Sequence, residues 1–269
     1  MMRSSEGIDI KNEISRVIAS TAYQTYEKRL QKEVRENEVP HHVAIIMDGN
    51  RRFAKEFGFS ASQGHERGKD KLEEVMDWCM ELGISILTVY AFSTENLTRD
   101  PKEISDLMKL FEESFYRVGN DERIHKHKTK ITVLGQREIL PESVKKAIEY
   151  AESRTAGYSN YYYNIAIAYG SRQEIIRAIK QLAEKVKSGE LDVEQIDEKT
   201  FSNFLYTADF PDPDLILRTS GEERVSNFLL WQLAYAELYF TDVYWPGFRK
   251  IDFLRAIRSY QLRKRRFGK

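Results

Sequence analysis

The order of the apolar runs constrains this chain most. Val43-Ala44-Ile45-Ile46-Met47, Ile84 to Phe92, Ile131-Thr132-Val133-Leu134, Tyr161 to Tyr169 and Leu215-Ile216-Leu217 are near-continuous rather than alternating. Such runs mark strands buried on both faces. Between them the apolar residues recur every three or four positions, as in Leu72, Val75, Met76, Cys79 and in Ile104, Leu107, Met108, Phe111, Phe115. That is the spacing of helices with one buried stripe. Strand and helix in alternation predict an α/β fold, a mainly parallel central sheet flanked by helices. No internal repeat or linker interrupts it, so one domain is expected over residues 39–269. An amphipathic helical extension, residues 1–38, precedes it, with Ile10, Ile14, Val17, Ile18, Ala22, Tyr26, Leu30 and Val34 at helical spacing. Its apolar face suits packing on the main domain, a dimer partner or a membrane surface.

Local signals fill in the rest. Gly58 to Gly68, which holds His65, reads as a polar, glycine-rich turn, followed by a helix over 69–82 that Gly83 stops. Asp100-Pro101 opens a helix running to about Arg117. His125 and His127 stand among lysines and read as a solvated loop. Helices are expected near 141–156, 172–187 and 198–206, a strand over 215–222, a last strand over 236–240 and a basic helix from about Asp252.

Acidic and basic residues balance at 42 each, which argues against a dedicated nucleic-acid binder. An apolar fraction of 41% supplies a substantial core. The single cysteine, Cys79, fits a reducing cytoplasm, and no run approaches the roughly 20 apolar residues of a spanning helix. A cytoplasmic chain is the expectation.

The polar residues gather where strands end. Val43–Met47 runs into Asp48-Gly49-Asn50-Arg51-Arg52-Phe53, so one carboxylate and two arginines sit at a strand–turn–helix junction. In open α/β sheets ligands bind outside the carboxyl ends of strands. Phosphates suit such a junction, and a divalent cation reconciles them with Asp48. The competing reading is an ordinary turn, Asp48 capping the helix and the arginines solvated. Other strand ends carry Ser93-Thr94-Glu95-Asn96 and Arg218-Thr219-Ser220-Gly221-Glu222. Together Arg51, Arg52, His65, Arg99, Arg218 and Arg224, with Ser93 and Ser226, outnumber Asp48, Glu95, Glu103, Glu222 and Glu237. That balance suits polyphosphate ligands with Mg²⁺. Dinucleotide, P-loop and nucleophile-elbow motifs are absent.

These blocks resemble the cis-prenyltransferase, or undecaprenyl diphosphate synthase, family. Val43 to Arg52, Gly64-His65-x-x-Gly68, Tyr90 to Asn96, Asn164-Ile165-Ala166-x-x-Tyr169-Gly170, Leu217 to Glu222, Arg224-x-Ser226-Asn227-Phe228 and Glu237 to Pro246 match its pattern in order. The resemblance implies condensation of isopentenyl diphosphate onto an allylic prenyl diphosphate of farnesyl or geranylgeranyl type. A cis-polyprenyl diphosphate results, its chain held in an apolar tunnel walled by helices near residues 72–80 and 104–115. It implies that Asp48 binds Mg²⁺ and assists diphosphate departure, with Glu237 a second metal contact. Gly49, Asn50, Arg51, Arg52 and Phe53 would hold the allylic diphosphate, with His65 close by and acting in catalysis. Ser93 and Asn96 would lie near proton removal, and Thr94, Glu95, Leu97 and Arg99 would line the substrate. Arg218, Arg224, Val225 and Ser226 would hold isopentenyl diphosphate. Arg266-Phe267-Gly268 resembles a C-terminal motif that reaches a partner's site, implying a homodimer in which Arg266 and Gly268 touch substrate. Peripheral membrane-surface contact would come through the product.

Some positions depart from the common bacterial pattern, as in the archaeal and eukaryotic-like branch. Arg51 replaces a glycine, Phe53 and Leu97 replace tryptophans, and Ala61 replaces an arginine phosphate ligand. The charge of Arg51 is expected to offset the loss at Ala61. A structural or regulatory subunit of a prenyltransferase complex, and a shorter-chain cis-prenyl synthase, are the alternatives. A trans-prenyltransferase would need Asp-Asp-x-x-Asp motifs, which are absent.

Overall fold

The computed structural model describes residues 23–263. The helical positions Ile10 to Ala22 and the motif Arg266-Phe267-Gly268 lie outside the described residues. In chain order the elements are α1 (23–35), β1 (His42–Ile46), α2 (Asn50–Glu56), α3 (Ala61–Leu82), β2 (Ile86–Ser93), α4 (Pro101–Val118), α5 (Glu122–His127), β3 (Thr129–Leu134), α6 (Glu142–Thr155), β4 (Tyr161–Tyr169), α7 (Ser171–Lys187), α8 (Glu198–Ser202), β5 (Leu215–Arg218), β6 (Glu237–Phe240) and α9 (Lys250–Leu262). They fall into two compact units, residues 40–248 and the two chain ends outside that range.

In the larger unit six strands form one parallel sheet in the order β3-β4-β2-β1-β5-β6. All five residues of β1 are buried, as the continuous apolar run requires. The chain leaves β1 for β2 on one side, and returns after β4 to place β5 on the other. The carboxyl ends of β1 and β5 therefore flank a topological switch point, where a crevice opens.

A polar ladder crosses the core near the opposite end of β1. His42 Nδ1 lies 2.7 Å from the Pro211 carbonyl, which can only accept, so Nδ1 carries the proton. Nε2 then accepts from the Thr88 hydroxyl at 2.7 Å, and Thr88 accepts from Asn164 Nδ2 at 3.2 Å. Burial drives the imidazole pKa down to about 4, only partly offset by the bond to Pro211.

Several local expectations are corrected. Ala61 to Gly68 is helix, not turn, because Ser60 and Gln63 form a capping box that starts α3 there. Gly64 and Gly68 serve close packing instead: an added Cβ would lie 2.5 Å from the Asn50 carbonyl oxygen and 2.3 Å from Asn50 Oδ1, respectively. His125 is not in a solvated loop. It belongs to α5, half-buried, within hydrogen-bonding distance of Tyr158 Oη (2.9 Å) and the Gly119 carbonyl (3.0 Å). The helix expected over 198–206 ends at Ser202, and β5 ends at Arg218.

In the smaller unit, α1 and α9 are tied by Arg258 Nε to Glu33 Oε1 at 2.6 Å. Gln261 Nε2 donates to the carbonyls of Val34, Asn37 and Glu38, closing the C-terminal end of α1.

Candidate active site

The crevice between β1 and β5 is organised by Asp48. Ile46 is level with Arg218 across the strand pair, so Asp48 emerges beside the Arg218 guanidinium. Asp48 Oδ2 accepts from Arg218 Nη2 at 2.8 Å and lies 3.2 Å from Arg52 Nη2. Thr219 Oγ1 fixes the backbone beneath it, accepting from Asp48 N (3.0 Å) and donating to Asp48 O (2.7 Å). Asp48 does not cap α2: the N-cap is Gly49, at φ 102°, and no side chain closes that end. Glycine is demanded there twice over, since a Cβ would also lie 2.8 Å from the Tyr244 ring. Burial would raise the Asp48 carboxyl, but the bonds and charges of Arg218 and then Arg52 outweigh it and hold the pKa below its ordinary value.

From Asp48 the charges alternate outward. Arg52 Nη1 donates to Glu222 Oε1 at 2.9 Å, and Glu222 also pairs with Arg224. Arg218, 4% exposed, gives Nη1 to Ser226 Oγ at 2.8 Å and to the Arg224 carbonyl, while its buried Nε has no hydrogen-bond partner among the described residues. Ser226 and Asn227 adopt left-handed backbone (φ 48° and 63°). The Tyr90 hydroxyl supports the loop at the Ser226 carbonyl, 3.3 Å away.

The opposite wall carries a second cluster. Glu103 faces Arg99 Nη1 at 3.0 Å, His65 Nε2 at 3.4 Å and Arg51 Nε at 3.7 Å. Burial lowers the pKa of His65, and the Glu103 bond does not restore it. Ser93 and Asn96 close a capping box on the turn after β2: Ser93 N donates to Asn96 Oδ1 (3.1 Å) and Asn96 N to Ser93 Oγ (3.3 Å). Asn227 Nδ2 reaches Glu95 Oε1 at 3.0 Å, linking this turn to the Ser226 loop.

One cleft is lined by Asp48, Asn50, His65, Ser93, Glu95, Asn96, Arg99, Arg218, Arg224 and Ser226; its neighbour shares Asp48, Asn50, His65 and Arg99 and adds Gly49, Arg51, Arg52 and Ala61. Phe53, Thr94, Leu97 and Val225 do not line these clefts. Phe53 packs at a tilt on Phe57 and stacks with Phe59, Thr94 bonds Glu95, and Leu97 is 38% exposed. Glu237 is not brought to Asp48 within the chain. It is level with Leu215 and Val43 at the amino end of the sheet, five residues and about 16 Å back along the strand direction. Sequence reasoning omitted Arg172 and Asn227 from the lining and the support from Thr219. A polar run after β4 and the Asn beside Ser226 were the available signals.

A third cavity, mainly apolar, continues from the cleft. Met47, Asn50, His65, Ala91 and Leu107 line both. Its further walls are Leu72 and Met76 of α3, Leu110, Phe111 and Phe115 of α4, and Tyr163, Ile165 and Ile167 of β4.

Comparison with known proteins places this geometry. Residues 46–268 match the family model described as putative undecaprenyl diphosphate synthase. The chain belongs to the undecaprenyl diphosphate synthase family of cis-prenyltransferases. Relatives named tritrans,polycis-undecaprenyl-diphosphate synthase (geranylgeranyl-diphosphate specific) include one from Methanopyrus kandleri, 54% identical over 254 residues and 94% of each chain. Another, from Methanocaldococcus jannaschii, is also 54% identical, over 91% of this chain and 88% of its own. Among solved structures, lavandulyl diphosphate synthase from Lavandula x intermedia, in complex with dimethylallyl diphosphate, superposes with a TM-score of 0.81 at 37% identity, covering 86% of this chain and 99% of that one. A probable undecaprenyl diphosphate synthase from Campylobacter jejuni gives 0.69 at 35% identity, over 87% and 100%. Family membership makes this chain a prenyl-transferring enzyme. Among the described residues no helix is long and apolar enough to cross a membrane.

Proposed function

We propose that this family member condenses isopentenyl diphosphate onto geranylgeranyl diphosphate, or a similar allylic primer, and repeats the step to build a long cis-polyprenyl diphosphate. One observation carries the reading: a cation-rich cleft and an apolar cavity share five lining residues, so a diphosphate head and a prenyl tail can be held at once. The names of the archaeal relatives support the primer.

The primer diphosphate belongs at Gly49, Asn50, Arg51 and Arg52, with His65 and Arg99 on the facing wall. Isopentenyl diphosphate belongs at Arg218, Arg224 and Ser226. As the allylic carbon–oxygen bond breaks, its electron pair goes to the departing diphosphate, where Arg51 and Arg52 stabilise the charge. The isopentenyl double bond supplies the electrons of the new carbon–carbon bond, and loss of a proton beside Ser93 and Asn96 leaves the cis double bond. The Asp48 carboxylate set among cations fits Mg²⁺, which takes one or two carboxylates and completes its shell with phosphate oxygens and water. Asp48 would hold it, and when bound it supplies positive charge to the leaving group. Glu237 would reach that site only from a second copy of the chain, in the proposed homodimer. Peripheral contact with a membrane surface follows from the product's apolar chain.

The test is incubation of the purified chain with labelled isopentenyl diphosphate, Mg²⁺ and allylic diphosphates of graded length, followed by chain-length analysis. Incorporation strongest with the geranylgeranyl primer is expected. No incorporation with any primer defeats the proposal.

A further inference from the structure

The loop that carries Arg224 and Ser226 continues in a backbone that must be held in place. Ser226 (φ 48°), Asn227 (63°) and Leu229 (46°) are all left-handed, and none is glycine. Such a conformation is unfavourable for residues with a side chain and persists only where surrounding contacts enforce it. On the core side the contacts are apolar. Phe228 is fully buried, its ring stacked 4.5 Å from that of Tyr90 and edge-on to Tyr169 at 6.0 Å.

On the cleft side the contacts converge on the half-buried Asn227. The backbone N–H of Arg172 can only donate, and it lies 2.9 Å from Asn227 Oδ1. The amide is therefore oriented with its oxygen toward α7. Its nitrogen then donates to Glu95 Oε1 at 3.0 Å and to Gln173 Oε1 at 3.1 Å. The Asn227 carbonyl also accepts from the N–H of Ser171 at 2.8 Å. The N-cap of α7 is Gly170, which has no side chain to offer, so Asn227 closes that helix end from another part of the chain. Gly170 in turn leaves room for the amide: a Cβ there would lie 2.2 Å from Gln173 Oε1, 2.7 Å from Asn227 Nδ2 and 2.8 Å from Thr94 Oγ1. One side chain thus joins the Arg224–Ser226 loop, the start of α7 and the turn of Ser93 and Asn96. Its bonds reach none of Gly49 to Arg52.

Resting on the reading that Arg218, Arg224 and Ser226 hold isopentenyl diphosphate, we infer that Asn227 is a positioning residue of the reaction. Its amide fixes the isopentenyl-binding loop against the turn of Ser93 and Asn96, and so aligns the bound isopentenyl unit with the groups beside which its proton is lost.

The experiment measures steady-state constants for both substrates on the purified full chain, with thermal unfolding as the check on folding. Asn227→Gly accepts the left-handed backbone and keeps the carbonyl while removing the amide. It is expected to raise KM for isopentenyl diphosphate about fivefold or more and to lower kcat about tenfold, with the primer KM unmoved. A merely structural role would lower apparent kcat and leave both KM values alone. Gly170→Ala, which displaces the amide without removing it, is expected to move the same constants in the same direction, and serves if Asn227→Gly misfolds. Asn227→Asp keeps the acceptor for Arg172 but sets a second carboxylate against Glu95. Its cost in kcat/KM is expected to shrink about fivefold or more in a Glu95→Gln background, where the new amide can donate in the reverse direction. Native constants in Asn227→Gly and Gly170→Ala, a fall in kcat with both KM values unchanged, an equal rise in the primer KM, or additive effects of Asn227→Asp and Glu95→Gln overturn the inference. Ser226→Ala separates the two levels. If it leaves KM for isopentenyl diphosphate unmoved, the loop does not hold that substrate, and the reading beneath falls with the inference. If it raises that KM while the Asn227 and Gly170 variants change nothing, only the role of Asn227 falls.

Discussion

The strand that carries Asp48 is anchored at its other end by a neutral, buried imidazole, and that makes the fold acid-sensitive in a calculable way. His42 titrates at about 4 in the folded chain and at its ordinary 6.5 once exposed. The folded value is the lower one, so the unfolded chain takes up the proton first as the pH falls. The stabilisation is present above about pH 6.5 and is lost progressively down to about pH 4. At about 1.4 kcal/mol per pH unit, the full loss is about 3 kcal/mol, of which about 2 kcal/mol has gone by pH 5. Urea unfolding at pH 7 and pH 5 reads it directly. His42→Gln keeps a donor for Pro211 and an acceptor for Thr88 without a titrating group. Its unfolding free energy should therefore fall by about 2 kcal/mol less than that of the unaltered chain between those pH values. Carboxylates such as Asp48 and the half-buried His65 titrate in both proteins and cancel in the comparison. Equal pH slopes would refute the reasoning, because they would mean His42 carries its proton equally in both states.

The site yields further expectations. Asp48→Ala should cut turnover by on the order of 10²–10³ while leaving a cooperative thermal transition, measured by labelled isopentenyl incorporation and calorimetry. Arg51→Gly should raise KM for the allylic primer with kcat little changed, since Arg51 lines the cleft that Ala61 leaves short of a cation. An unchanged KM sinks that compensation. Gly68→Ala places a Cβ 2.3 Å from Asn50 Oδ1 and 3.1 Å from the Trp245 ring, so primer KM should rise as Asn50 is driven from its position. Thr219→Val removes both hydrogen bonds to the Asp48 backbone and should cost about 1–3 kcal/mol in urea unfolding.

What could be read from the sequence had a physical basis in each case. The strands of the sheet were legible because a parallel strand buried on both faces admits little but apolar residues, as in β1 and β4. The site's cations were legible because they follow those strands. The start of α3 was not, because Gly64, His65 and Gly68 look like a turn to any rule based on composition. The close approach of Asn50 and Ala54 of α2 and of Trp245 reveals that these glycines admit close neighbours. Glu237 was placed by motif near Asp48, and register alone shows the strand's length between them. The role of Thr219 was not legible because its task, holding the backbone of a residue 171 positions away, leaves no local pattern.

The Asp48–Arg218 pair joins the ends of two strands whose alignment is fixed by Ile46 opposite Arg218. A slip of one residue between β1 and β5 would turn one partner to the other face of the sheet and dissolve the pair. With Asp48 and Arg218 in the roles proposed above, catalytic competence becomes an all-or-none report on the assembly of the central strands. During refolding, activity should return only with the last cooperative step, lagging any signal from helix content, and misaligned but compact chains should be catalytically silent rather than partly active.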